Sequence, residues 1–363
     1  LLFDLQPKTR REDLYDREKE LREFRDALSL GERLLLLLGI RRLGKSSLLN
    51  VALRDSGFPY AKLDVRSLYF THGSIPQETL AKRILDSLLE SLSAKHKLQL
   101  GLEKALSSIR GIRISGIHVE FERKPDLAEL LAKLDSWAEK EGTRVILAFD
   151  EAQYLRLSGI QYDGLIAYAV DNLSNLTFVL TGSEVGMLHD FLGLDNPKKP
   201  LFGRYAREII LERFTREQSE DFLRRGFEEL DFKITSDEIE NAVNRLDGIV
   251  GWLTMYGYLR GVRKLSEKDA LNELFRKAHA LVKEELSSLL SLSRRYGFIL
   301  KAIAIGNHRW SEIKDYVEVK SGHVNDAKFS ALLKNLVKYG YLIKTEKGYE
   351  IPDPVVSEVV KML

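Results

Sequence analysis

Residues Gly39-Ile40-Arg41-Arg42-Leu43-Gly44-Lys45-Ser46 hold two glycines with four residues between them, followed by Lys and Ser, and this stretch constrains the fold more than any other. The pattern is that of a phosphate-binding loop, which requires a buried strand before it and a helix after it. Both flanks comply. The run of five leucines at 34–38 suits a parallel strand buried on both faces, and 46–53 reads as a helix. Triphosphate oxygens need main-chain N–H donors at close range, and only glycine lets the backbone approach without an intervening side chain. A tight turn carrying a solvated lysine would need neither flank. The spacing therefore predicts that Gly39, Ile40, Arg41, Arg42, Leu43, Gly44, Lys45, Ser46 and Ser47 cradle a nucleoside triphosphate. Lys45 is expected along the β- and γ-phosphates, and Ser46 is expected to offer its hydroxyl to Mg²⁺. The expected cofactors are ATP and Mg²⁺.

A second segment agrees with the first. Arg144-Val145-Ile146-Leu147-Ala148-Phe149-Asp150-Glu151 is an apolar run ending in two carboxylates, as expected of a buried strand that delivers acids to the carboxyl edge of a sheet. Asp150 suits a Mg²⁺ site and Glu151 suits polarisation of an attacking water as general base. Carboxylates that end a strand also serve as helix N-caps. The upstream phosphate loop favours the catalytic reading.

The chain has 363 residues, enough for two or three domains, and no cysteine, which excludes disulfides, thiolate metal sites and a cysteine nucleophile. Charged residues make up 30% with a net charge of only +2, so overall charge selects no partner. The seven histidines are scattered, with no i, i+4 pair suited to a metal. No apolar run reaches membrane-spanning length and the first residues lack a signal-peptide layout, so a soluble, cytoplasmic protein is expected.

From Leu30 to about Ile210 strands alternate with helices, which predicts a parallel α/β sheet with strands at 34–38, 60–65, 145–149, 177–181 and 208–211. Between the second and third, Ile112, Ile114, Ile117, Val119 and Phe121 alternate around Ser115-Gly116 and predict an accessory hairpin within 111–123, covering the sheet edge or else contacting a partner. From Thr215 onward amphipathic helices take over, with Thr215 as N-cap. Past about residue 292 the pattern changes again, to helices at 298–304, 310–316 and 325–339 and a hairpin at 341–351 turning at Glu346-Lys347-Gly348. Three helices and a β-wing make a winged helix-turn-helix. The expected division is a phosphate-loop core over 1–213, an all-α lid over 214–292 and the winged helix over 293–363. In the third helix Phe329, Leu332, Leu333 and Leu336 are expected to face the core, with Lys328, Lys334 and Lys338 outward.

With these segments in place, the chain resembles, over nearly its whole length, the archaeal ATPase family within the STAND group of AAA+-like P-loop NTPases. Asp16-Arg17-Glu18-Lys19-Glu20-Leu21 resembles the family's N-terminal box, which implies that Asp16 and Arg17 lie near the base. The paired Arg41-Arg42 and the stretch Asp150-Glu151-Ala152-Gln153-Tyr154-Leu155 also fit the family. The resemblance implies a polar sensor at Thr181-Gly182-Ser183, whose Thr181 and Ser183 would help hold the water, and an arginine, Arg204, reaching the terminal phosphate. One departure concerns the lid, where Gly248-Ile249-Val250 stands in place of a Gly-x-Pro turn and a fixed φ angle is lost.

The favoured reading is a Mg²⁺-dependent ATPase that acts as a conformational switch, binding ATP and ADP. An initiator or regulator of the origin-recognition AAA+ type is the alternative, although the lid shows no Gly-Asp-x-Arg sensor. A small-molecule kinase fits less well, because Glu151 beside Asp150 suits water activation. From Arg294 to Lys361 there are twelve basic and eight acidic residues, a modest excess for a DNA binder, and the third helix has lysines but no arginine for bidentate guanine contacts. Duplex DNA held weakly and with little sequence preference, or a protein partner, is what this module fits.

Overall fold

In the computed structural model, which describes residues 1–109, 112–115 and 118–362, the leucine run forms β1 (Leu34–Leu38), an inner strand of a five-stranded parallel sheet. Alternate residues of β1 feed two cores, Leu35 and Leu37 on one face and Leu34, Leu36 and Leu38 on the other. Strand β2 is Tyr60–Asp64, one residue shorter than expected, because Asp64 accepts the Ser67 N–H at 2.8 Å and caps a helix that begins at Val65. The hairpin strands are β3 (Ile112–Ser115) and β4 (His118–Phe121); Gly116 of the expected Ser115-Gly116 turn, and Ile117, lie outside the described residues. The hairpin packs against the helix Gln77–Leu92, where Lys82 and Asp86 bind the Val119 main chain, and it is this helix that lies against β2 at the sheet edge. The expectation that the hairpin itself covers the sheet edge is corrected accordingly.

The sheet is completed by β5 (Val145–Asp150), β6 (Leu176–Gly182) and β7 (Arg207–Ile210) in the order β2-β5-β6-β1-β7. This order carries the functional consequence. Strand β6 separates the phosphate-loop strand from the Asp150 strand, with Leu38 in register with Gly182 and Phe149 with Leu180. The ends of β1, β5 and β6 thus meet at one carboxyl edge, where open α/β sheets bind ligands.

The helices Arg216–Glu228, Ser236–Leu246 and Val250–Gly257 follow, the first opened by the expected capping box between Thr215 and Gln218. A 26-residue helix, Glu267–Leu292, leads to the winged helix: Arg295–Ala304, Trp310–Ser321, Asp326–Lys338, then β8 (Ile343–Thr345) and β9 (Gly348–Glu350). Phe329, Leu332, Leu333 and Leu336 are buried as expected. Lys338 is not free. It pairs with Asp190 of the core helix Val185–Leu192, and a Cβ on Gly186 would sit 2.7 Å from the Lys338 Cα, so the two helices touch along their backbones.

A final helix, Pro354–Lys361, was not anticipated. Asp353 caps it and Pro354 occupies its first turn, a start signal present in the sequence. Its Val355, Val356, Val359 and Val360 are buried, and it packs on Glu267–Leu292 and Arg295–Ala304. One apolar core runs from Leu37 of the sheet through Trp252 to Val359.

Candidate functional site

The loop takes the shape that its glycines allow. Gly39 has φ of +149° and a Cβ there would meet the Leu211 carbonyl oxygen at 2.8 Å; Gly44, at φ +88°, turns the chain into the helix Lys45–Asp55. Lys45 is buried and its Nζ donates to the Gly39 and Ile40 carbonyls, each at 2.8 Å. Ser46 Oγ donates to Asp150 Oδ2 at 2.7 Å. Thr181 Oγ1 donates to the other Asp150 oxygen and accepts the Glu151 N–H at 3.0 Å. Glu151 leaves the strand in a left-handed conformation, φ 56°, that few non-glycine residues adopt. Its Oε2 accepts from Gln153 Nε2 at 2.6 Å, Ser183 Oγ at 2.7 Å and the Ser183 N–H at 3.2 Å. Lys45, Ser46, Asp150, Glu151, Thr181 and Ser183 therefore form one cluster, drawn from three strand ends.

Burial opposes ionisation of Glu151, but the nearby Lys45 and Arg41 charges and the Gln153 and Ser183 hydrogen bonds outweigh it and hold the carboxyl below its ordinary value. Burial pushes Lys45 down to about 8, against the pull of Glu151 and Asp150. Ser46 and Asp150 offer hard oxygen donors side by side, which suits Mg²⁺. Among the described residues no group of three or more His, Asp or Glu side chains could hold a metal ion. A bound Mg²⁺ would thus depend on phosphate and water oxygens for the rest of its shell.

The two loop arginines line the cleft and are also engaged from outside the loop. Arg41 donates to Glu184 Oε1 at 2.7 Å and to the Tyr339 carbonyl at 3.0 Å, with its guanidinium 4.9 Å from the centre of the Tyr341 ring. Arg42 donates to Glu285 Oε1 at 2.6 Å and lies 4.4 Å over the Trp252 ring, whose Nε1 donates to Asp353. The helix Val250–Gly257 is tied to the same residue, since the Gly251 N–H donates to the Arg42 carbonyl at 2.9 Å. Val250 occupies the first helical position and packs over Gly44, so this helix meets the loop without the proline.

Beyond the loop opens a cleft of about 460 Å³, walled by Arg17, Leu43, Phe214, Phe222, Val250 and Met255 among others, a size that suits a small-molecule ligand.

Residues 14–256 match the family model of an ATPase domain predominantly from Archaea. The chain belongs to this archaeal ATPase family. Residues 290–352 match the C-terminal winged helix-turn-helix domain of MCM proteins. The Walker-type ATPase of Pyrococcus abyssi is similar over 99% of this chain and 100% of its own, with 41% identity and a TM-score of 0.86. The ORC2 protein of Aeropyrum pernix, in complexes with ADPNP and ADP, is similar in fold, at 14% identity and a TM-score of 0.59 over 99% of this chain and 96% of its own. No curated protein sequence matches the chain. Among the described residues no helix is long and apolar enough to cross a membrane.

Within this archaeal ATPase, two expected site residues stand elsewhere. Arg204 donates to both carboxylate oxygens of Asp171, at 3.0 and 2.7 Å. Asp171 precedes β6 and Arg204 precedes β7, which places the pair at the amino-terminal edge of the sheet, opposite the phosphate loop. Arg204 therefore cannot reach a phosphate held by its own loop. Asp16 turns from the cleft to accept from Gln218 Nε2 at 2.6 Å. Arg17 does line the cleft; it stacks 4.8 Å from the Phe214 ring centre and donates to the Leu43 and Glu212 carbonyls, which makes it a brace for the loop.

Sequence reasoning missed Tyr15, Phe214, Phe222 and Met255 as cleft walls, because each reads as an ordinary core residue. It also missed Gln153, although the residue stands two positions after Glu151 in the motif.

Proposed function

We propose that the protein is a Mg²⁺-dependent ATPase that works as a nucleotide-driven conformational switch. The observation that carries this reading is the double use of the phosphate loop. Arg41 and Arg42 hold the winged helix and the helix Glu267–Leu292 through Tyr339 and Glu285, from positions inside the loop that would cradle the triphosphate. A triphosphate placed there competes for both guanidinium groups, so occupancy changes how firmly the C-terminal module is held.

The chemistry follows from placement. Lys45 exchanges its two carbonyl partners for phosphate oxygens, and the main-chain N–H groups of the loop take the remainder. Bound Mg²⁺ would supply charge neutralisation between the phosphates. Glu151, ionised at neutral pH and oriented by Gln153 and Ser183, accepts the proton of the attacking water. Thr181 fixes Asp150 and the Glu151 main chain together, so the metal-side and water-side acids keep their spacing.

We divide the chain into a core (1–213), a helical lid (214–292) and a winged helix (293–363), on the support of the strand-to-helix transition after β7 and the 26-residue connecting helix. The winged helix presents Lys328, Lys334, Lys344 and Lys347 to solvent, which supports weak, sequence-tolerant contact with duplex phosphates.

The absence of cysteine allows a direct test. Spin labels on Lys328→Cys and Lys140→Cys report the distance between winged helix and core. That distance is expected to differ between Mg–ATP and Mg–ADP, and to stay constant when Lys45→Ala is added. Identical distributions in both nucleotides would reject the switch.

A further inference from the structure

Residues 2–8 carry no motif and precede the matched stretch 14–256, yet Leu2 and residues 4–8 line the cleft beside the phosphate loop. The segment is fastened at both ends. At one end the Phe3 ring is fully buried among the lid helices, edge-on to Phe222 at 5.7 Å and Phe227 at 4.9 Å. Its socket exists because two positions there lack a side chain: a Cβ on Gly226 or on Gly257 would fall 2.2 or 2.3 Å from Phe3 ring carbons. The Leu2 N–H adds a bond to Glu229 Oε2 at 2.8 Å. At the other end the Lys8 N–H donates to Ser47 Oγ at 3.0 Å, and Asn50 Nδ2 donates to the Lys8 carbonyl at 3.1 Å. Ser47 and Asn50 belong to the helix that follows the phosphate loop.

The segment therefore bridges the two bodies whose junction forms the cleft. Within it, Lys8 Nζ folds back on the Leu1 and Asp4 carbonyls, at 2.7 and 2.8 Å.

We propose that residues 2–8 form a nucleotide-retaining strap, a binding element that covers the nucleoside part of bound ATP or ADP and must release an anchor before either leaves. The inference rests on the ATP-binding reading above. The strap is anchored in the Phe3 socket and on Ser47 and Asn50, and not on Lys45 or Glu151, so it slows release of ATP and ADP by the same factor. Its effect falls on dissociation, since a bound nucleotide leaves only when the bridge opens.

Dissociation of radiolabelled ATP and ADP from the full chain in Mg²⁺, chased with unlabelled nucleotide, tests this. Gly226→Ala fills the Phe3 socket, and Asn50→Leu removes a bond at the opposite anchor without touching the phosphate cradle. Each is expected to raise both dissociation rates alike, about tenfold, which corresponds to loss of about 1.4 kcal/mol of retention, and to speed hydrogen exchange of the amides of residues 2–8. Should Gly226→Ala fail to fold, Asn50→Leu alone decides. Faster exchange in the strap with unchanged dissociation would overturn the proposal, as would strap protection that survives both substitutions, or a change confined to ATP. A parent protein that retains neither nucleotide would instead overturn the ATP-binding reading.

Discussion

Arg41 donates to the Tyr339 carbonyl across 3.0 Å and so joins the phosphate loop to the C-terminal end of the winged helix's third helix. Nearby, a Cβ on Gly340 would lie 2.9 Å from the carbonyl oxygen of Ser183, whose hydroxyl donates to Glu151. The winged helix thus rests on the phosphate loop and on the Glu151 cluster. On the proposed switch reading, movement at one surface is passed to the other through these close contacts.

Replacing Glu151 by Gln preserves shape and an acceptor oxygen while removing the base. Turnover is expected to fall by about 10²–10⁴, with nucleotide affinity nearly unchanged. Equilibrium binding beside a phosphate-release assay checks this, and equal losses in both would assign Glu151 to binding.

Burial holds Lys45 at about 8, below its ordinary 10.5, and phosphate oxygens would draw it back up. The free protein loses this proton as pH rises through about 8, whereas the nucleotide-bound form keeps it. Binding must then take up a proton above that pH, and affinity should fall with rising pH by up to about tenfold per unit. Calorimetry in buffers of different ionisation enthalpy measures the uptake. Affinity that is flat between pH 7 and about pH 9 would remove Lys45 as the titrating contact.

Arg204, paired with Asp171 at the far edge of the sheet, is expected to be dispensable in an isolated chain. Arg204→Ala should leave turnover within about twofold of the parent, since exposed pairs contribute little. A loss near a thousandfold, the size expected for an arginine at the transferred phosphate, would contradict its position.

Any affinity for duplex DNA should depend on exposed lysines. Lys334→Ala combined with Lys347→Ala is expected to weaken binding by a similar factor on unrelated duplexes and to flatten the salt slope by about two units. Lys338→Ala should matter less, because that side chain is engaged by Asp190. Tight, salt-insensitive binding to a single sequence would contradict this.

The sequence by itself determined the strand, loop and helix that make the phosphate cradle, the acids at the end of β5 and the winged-helix pattern. These are local matters, because glycine placement, an apolar run and a cap act over a few residues and leave direct marks in the chain. The sequence also contained Thr181 and Ser183, but their value came from strand order: only the insertion of β6 between β1 and β5 sets them against Asp150 and Glu151. Tertiary structure decided what the motif could not. Arg41 and Arg42 read in the linear sequence only as loop residues beside the phosphate position, and packing alone shows that each guanidinium is also held from outside the loop, by Glu184 and Tyr341 and by Glu285 and Trp252. Phe3 and Gly226 stand more than two hundred positions apart, and no local pattern announces that one is shaped to receive the other. Arg204 follows the same logic in reverse, because a strand's beginning and its end lie on opposite edges of a sheet, and only the folded chain shows which edge a residue occupies.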